Sequence, residues 1–186
     1  LALKRRVRIG VRHRHLDETG ASHDGPALEL LDPQSKIMDS ASDAIGKADL
    51  VYLACPPAVR EPYALAAAKA GKALFLEKPF GIDLNDSARL MAQLQAYDVP
   101  VAVNFTQASG AALTDLLVAQ ERGDMGTVLG VDIVVTYPDW PRQWQKDADW
   151  LRFRAEGGMT REVISHFLFF TERVLGPLSL GAAHTT

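Results

Sequence analysis

The sequence predicts an α/β fold: a doubly wound parallel sheet, followed by a second domain of different rhythm. Three observations carry this expectation. Leu50-Val51-Tyr52-Leu53-Ala54 and Ala73-Leu74-Phe75-Leu76 are uninterrupted apolar runs of strand length, as expected of central parallel strands. Helical patterns lie between and after them, so strand and helix alternate. Beyond Asn104 the alternation gives way to another rhythm, which puts a domain boundary near 104–106 and divides the chain into 1–104 and 105–186.

The elements are justified in chain order. Between Arg6 and Arg14 the apolar residues Val7, Ile9 and Val11 alternate with basic ones, a pattern for a strand running out into a polar loop. Residues 17–36 mix Gly20, Gly25, Pro26 and Pro33 with acidic side chains and read as an irregular connection, with a helical turn near Ala27–Leu31. Ser42 to Lys47 is expected as a short helix before the first central strand, which Pro56-Pro57 halts. Arg60 to Gly71 is alanine-rich and helical, with Gly71 as its C-cap. Asp83 or Asn85 caps the next helix, through about Tyr97, and Val99–Val103 supplies the following strand.

In the second half a helix is expected near Leu113–Arg122, a turn at Gly123–Gly126 and a strand over Val128–Tyr137. From Tyr137 to Phe153 the residues Trp140, Trp144 and Trp150 stand among prolines and charges, which reads as loop. The three indoles either pack on the sheet of the second domain or line a pocket where aromatic faces meet a substrate. Gly157-Gly158 then turn the chain into an apolar helix, Met159–Leu175, stopped by Gly176-Pro177.

Composition removes several function classes. With 186 residues, 47% of them hydrophobic, the chain can bury a real core. A formal net charge of -3, from 20 basic and 23 acidic residues, gives no basic field, so nucleic acid is not expected as a partner. The single cysteine, Cys55, cannot form an intrachain disulfide, and no Cys/His cluster has zinc spacing, so no metal is expected. No apolar stretch reaches bilayer length, and no signal-peptide pattern follows Lys4-Arg5-Arg6. A cytoplasmic protein without a membrane partner is the resulting expectation.

Two constellations carry chemistry. Glu77-Lys78-Pro79 closes an apolar run, and the carboxyl ends of parallel strands are where such sheets bind ligands. A lysine there is either a solvated strand end or a proton carrier for a substrate hydroxyl or carbonyl. Glu162 and His166 lie four residues apart in the apolar helix, so their side chains share a face. A carboxylate can orient an imidazole for proton transfer, although a histidine among Phe167, Leu168, Phe169 and Phe170 can equally be a satisfied core residue.

In order and spacing, these segments make the chain resemble the glucose-fructose oxidoreductase / inositol dehydrogenase / rhizopine catabolism (Gfo/Idh/MocA) family of nicotinamide-dependent oxidoreductases. The likeness rests on Ala48-Asp49-Leu50-Val51-Tyr52-Leu53-Ala54-Cys55-Pro56-Pro57, on Ala67-Ala68-Lys69-Ala70-Gly71-Lys72 leading to Glu77-Lys78-Pro79, on Val103-Asn104-Phe105, and on Gly157-Gly158 with Glu162 and His166. It implies a partial Rossmann-like, doubly wound parallel sheet over 1–104 and, over 105–186, an incomplete α+β substrate and oligomerisation domain whose sheet is mainly antiparallel. It further implies that Lys78 and His166 handle protons, that Glu162 orients His166, and that Cys55, Pro56, Pro57 and Glu77 lie along the cofactor. Asn104, Trp144 and Arg152 are the expected substrate contacts.

Several residues depart from the family pattern. Glu162 stands where aspartate is usual, Ile164 where glycine is, Phe169 where aspartate follows the histidine, and Arg60 where a histidine often follows the proline pair. No G-x-G-x-x-G occurs, and Arg6–Arg14 resembles the family's second strand, so a chain cut short at both ends is expected. At the end of that strand Arg12, His13 and Arg14 can meet a 2'-phosphate, which favours NADP over NAD; a solvated basic edge is the competing explanation. The expected function is hydride transfer between NAD(P) and a sugar, polyol or similar small hydroxy or carbonyl compound, in a homo-oligomer, dimer or tetramer. Alternatives are a non-catalytic nucleotide- or sugar-binding regulatory relative, or an assembly subunit that buries the Val128–Val135 face.

Overall fold

A computed structural model describes residues 38–140, 142, 145, 148–156 and 158–184. They fall into two compact units, one ending at Asn104 and the other beginning at Phe105. The expected strand and loop over residues 6–36, with Arg12, His13 and Arg14, lie outside the described residues, as does Trp144.

The first unit opens with helix α1, Ala41–Lys47, capped by Ser40, whose hydroxyl accepts from the Asp43 N–H at 3.1 Å. Strand β1 (Leu50–Leu53), helix α2 (Pro57–Lys69), strand β2 (Ala73–Glu77), helix α3 (Leu84–Gln95) and strand β3 (Val101–Asn104) come next along the chain. Helix α2 begins three residues before its expected start. Pro57 occupies its first turn, where an N–H has no helical partner and the fixed φ of proline suits the helix, so the proline pair ends the strand and starts the helix at once. The helix closes as expected on Gly71, whose φ of 70° is the left-handed conformation that glycine adopts without strain. Of the two candidate caps for α3 the structure uses Asp83, which accepts from the Asp86 N–H at 2.8 Å.

The three strands form one parallel sheet in the order β1-β2-β3. Val51 pairs with Leu74, Leu53 with Leu76, and Glu77 with Asn104. This register puts Val51, Leu53, Leu74 and Leu76 in one core cluster with Ala64, Ala67 and Ala68 of α2 and Leu90 and Leu94 of α3. Small alanines let α2 approach the sheet closely, and each fully buried leucine contributes about 1.5–3 kcal/mol relative to exposure. The parallel register has a second consequence: the three strands end at one edge, which gathers the residues immediately after Leu53, Glu77 and Asn104.

In the second unit a short 3-10 turn (Thr106–Ala108) precedes helix α4, Ala111–Glu121. A helix entered at Met159 is π-helical over Thr160–Ile164 and continues as α5, Ser165–Leu175. Ala108, Leu113 and Val174 form its core, with Phe105, Leu116, Leu117 and Phe170 packed around them. The expected strand over Val128–Tyr137 is not formed. Its backbone has no hydrogen-bonded partner strand among the described residues, and Leu129 (96% exposed) and Val134 (87%) face solvent. Apolar alternation marks a face, but only pairing makes a strand. The antiparallel sheet expected of this unit is therefore not seen among the described residues. No helix there is long and apolar enough to cross a membrane.

Candidate functional site

The carboxyl edge of the sheet collects Cys55, Pro56 and Pro57 after β1, Glu77 and Lys78 at the end of β2, and Asn104 at the end of β3. Glu77 is its hub. Its Oε1 accepts from the Tyr52 hydroxyl, and from Asn104 Nδ2 at 2.6 Å, so one carboxylate ties all three strand ends together. Burial and the hydrogen bond to Glu77 push the Tyr52 phenol well above its ordinary range. Burial likewise raises the Cys55 thiol. Lys78, half-buried, comes directly after this anchored residue and precedes a cis peptide bond to Pro79.

A raised phenol pKa favours the neutral form in the fold. The stability it contributes is complete below the unfolded value of about 10 and is lost as the pH rises above it. Tyr52→Phe is therefore expected to lower stability by about 1–2 kcal/mol near pH 8, with the gap to the native protein narrowing as the pH is taken to about 11. Urea unfolding at the two pH values reads this, and a pH-independent gap would contradict it.

The turn after Lys78 packs against the start of α3. A Cβ on Gly81 would lie 2.6 Å from Ser87 Oγ, 2.7 Å from Asp86 Oδ2 and 2.9 Å from the Ser87 backbone nitrogen, while Asp86 Oδ2 accepts from the Ile82 N–H at 3.0 Å. Only glycine lets the turn lie this close to the start of α3. Gly81→Ala should cost about 1–3 kcal/mol, read as a lower urea midpoint; an unchanged midpoint would mean that the neighbours yield.

The second unit holds the other constellation. Glu162 lies in the π-helical turn and His166 in α5, and both are buried. Glu162 Oε1 accepts from Gln145 Nε2 at 3.1 Å and pairs with Arg142 Nη2 at 3.4 Å. Arg142 donates its Nε to Gln145 Oε1 at 2.8 Å and lies over the rings of Tyr137 and Trp140, 5.0 and 5.7 Å from their centroids. The His166 ring meets Phe105 edge-on at 5.8 Å, and Phe105 stacks on Phe169 at 4.6 Å. Phe169, a departure from the family pattern, thus backs the ring that meets the imidazole. Gly158 takes φ 84° with open space where a Cβ would stand, so backbone conformation rather than close approach calls for glycine at this helix entry.

Arg152 lines an open cavity of about 460 Å3 with Trp140, Leu151, Gly158 and Met159. Lys78, Cys55, Pro56, Pro57, Glu77 and Asn104 thus belong to the first unit, and Glu162, His166 and Arg152 to the second. The hydrogen bond to Glu77 gives Asn104 a structural task besides any contact with substrate. Among the described residues no group of three His, Cys, Asp or Glu side chains is placed to hold a metal ion. Sequence reasoning passed over Tyr52, hidden in an apolar run, and the Arg142/Gln145 pair. Their signals are faint: a hydroxyl at the penultimate position of a buried strand, and an arginine three residues before a glutamine in a tryptophan-rich loop.

A parallel α/β sheet with polar residues gathered at the strand carboxyl ends has them where open sheets of this class bind ligands. Residues 24–105 match the model of the Gfo/Idh/MocA family, described as an oxidoreductase family with an NAD-binding Rossmann fold. Over 130 residues the chain is 29% identical to the dTDP-3,4-didehydro-2,6-dideoxy-alpha-D-glucose 3-reductase of Streptomyces violaceoruber, covering 69% of this chain and 36% of that protein. The WlbA dehydrogenase of Bordetella pertussis, solved with NADH and UDP-GlcNAcA, superposes with a TM-score of 0.62 at 25% identity, over 77% of this chain and 42% of that one. A probable dehydrogenase of Thermotoga maritima shares the fold, with a TM-score of 0.61 at 21% identity, over 74% and 40% of the two chains. The chain spans between 36% and 42% of the length of these relatives.

Proposed function

We propose that this chain is part of an NAD(P)-dependent oxidoreductase that moves hydride between a nicotinamide cofactor and a sugar, with polyols and similar small hydroxy or carbonyl compounds in the same class. The observation that carries this reading is the gathering of Lys78, the Glu77 hub and the Pro56-Pro57 helix start at the carboxyl edge of a family-matched parallel sheet. That edge, with the N-terminus of α2 opening onto it, suits one end of a nicotinamide dinucleotide. The cofactor, when bound, supplies or accepts the hydride.

Oxidising a carbinol also requires its hydroxyl proton to leave, and reducing a carbonyl requires one to arrive. Lys78 is assigned that proton at the substrate oxygen. His166 is the second proton-handling group, with Glu162, fixed by Gln145 and Arg142, setting its surroundings. A sugar is favoured because the Streptomyces relative and the Bordetella structure carry nucleotide sugars in their names, and because Arg152 and Trp140 line a cavity that offers a ring face and a cation. Asn104 and Trp144 complete the proposed substrate contacts.

The test is absorbance at 340 nm in the full-length protein, with NADH or NADPH and a panel of nucleotide-linked keto sugars, free sugars and inositols. Turnover on at least one is expected. Calorimetric binding without turnover across the panel would favour a regulatory relative instead. NADP is the preferred cofactor in this proposal, on the strength of Arg12, His13 and Arg14. Replacing Arg12 and Arg14 by serine should then lower kcat/KM for NADPH by about 10- to 100-fold and leave NADH nearly unchanged; equal losses for both would remove the preference. Cytoplasmic residence and self-association into a dimer or tetramer belong to the same reading. Exposed Leu129, Val131, Ile133 and Val134 offer the apolar surface for self-association, and a monomer in sedimentation at high concentration would count against it.

A further inference from the structure

Among the described residues, the largest fully buried side chain is a charged one. Arg60, in helix α2, is 1% exposed. Its Nη1 donates to the carbonyls of Glu77 and Pro79, both at 2.5 Å, and of Phe80 at 3.4 Å, while Nη2 donates to the carbonyl of Cys55 at 2.7 Å. These acceptors are main-chain oxygens of the last residue of β2 and of the turns that follow β1 and β2. Two of them, Glu77 and Pro79, flank Lys78 on either side.

The arrangement runs against ordinary burial costs. Burial lowers the basicity of the guanidinium, and its Nε has no hydrogen-bond partner among the described residues. Its four acceptors are all backbone carbonyls rather than carboxylates. The effect is to bring carbonyl dipoles from two separate strand ends onto one planar, permanently charged fork. Carbonyls converging in this way would repel each other without a cation between them. The turn carrying Lys78 is thus held both by Arg60 and by the close packing of Gly81 against the start of α3.

The geometry points to Arg60 as a positioning residue for Lys78: by clamping the carbonyls of Glu77, Pro79, Phe80 and Cys55, it sets where the β2 end presents the Lys78 amine. This rests on the reading that Lys78 handles the substrate proton, and it assigns the task to an arginine that the family pattern marked only as a departure. Lysine cannot replace it, because one ammonium on a flexible stem cannot span acceptors reached by two nitrogens of a rigid fork.

The test compares the native full-length protein with Arg60→Lys, which keeps the charge, and with Lys78→Ala. Two readouts are taken. One is kcat against the KM for cofactor; the other is the acylation rate of Lys78 by a small amine-reactive reagent, measured by mass spectrometry relative to exposed Lys69. Arg60→Lys is expected to stay folded by circular dichroism and to lower kcat by about 10- to 100-fold, with cofactor KM within about twofold. The Lys78-to-Lys69 acylation ratio should shift severalfold. An unchanged ratio overturns the inference, as does unchanged kcat in Arg60→Lys where Lys78→Ala is inactive. Loss of the fold in Arg60→Lys also overturns it, since Arg60 would then be an element of the core. The functional reading fails separately: Lys78→Ala with full turnover removes that reading, while the acylation ratio still decides whether Arg60 sets the presentation of Lys78.

Discussion

Lys78→Ala in the full-length protein is expected to lower kcat by about 10²–10⁴-fold, the range that a positioned proton donor or acceptor contributes. The fold should survive the change. Lys78 lies just past the core-forming residues of β2 and is half-buried rather than inside the cluster built by Leu74 and Leu76, so its removal leaves that cluster intact. The anchoring bonds of Glu77 to Tyr52 and Asn104 do not involve the lysine and should persist. Lys78→Arg should be about as slow as the alanine variant, because a guanidinium does not give up its proton in proteins. Steady-state kinetics beside circular dichroism checks both statements, and full activity in the arginine variant would show that charge alone is needed at this position.

His166→Ala carries the next largest expected effect, a fall in kcat of about 10²-fold or more. Here stability changes too, since the imidazole is buried against Phe105 and its removal leaves space. Glu162→Gln separates the two effects. It keeps the shape of the side chain and exchanges a carboxylate oxygen for an amide group beside Gln145 and Arg142, so it disturbs the electrostatics of the cluster more than its packing. Turnover in Glu162→Gln should fall at least tenfold with only a modest shift in the urea midpoint. If turnover were preserved while stability fell, Glu162 and His166 would be core residues and the acid–base assignment would lapse.

The sheet was readable because each of its strands is a short apolar run whose boundaries are marked by Asp49, Pro56, Gly71 and Asn104. Helix α2 was readable in its body but not at its start, since one proline can end a strand and begin a helix. Val128–Tyr137 shows the limit of pattern. Its alternation is that of a strand, yet strand formation depends on a partner, which no window of sequence contains. At the site, Lys78 and Glu77 stood out because a charged pair at the end of a buried run is conspicuous.

The clamp by Arg60 and the hold of Arg142 and Gln145 on Glu162 were not legible. Both join residues distant in sequence, and the Arg60 clamp uses backbone carbonyls, which every residue type possesses. An arginine a few residues past a strand end looks like any solvated helix residue until the fold buries it.

Lys78 and His166 are each proposed to handle a proton during turnover, and a double-mutant cycle on kcat tests that assignment most directly. Groups that act as a unit are far from additive. The account predicts that the Lys78→Ala/His166→Ala protein turns over about as slowly as the slower single variant. Losses that multiply, or a single variant that turns over at the native rate, would contradict it.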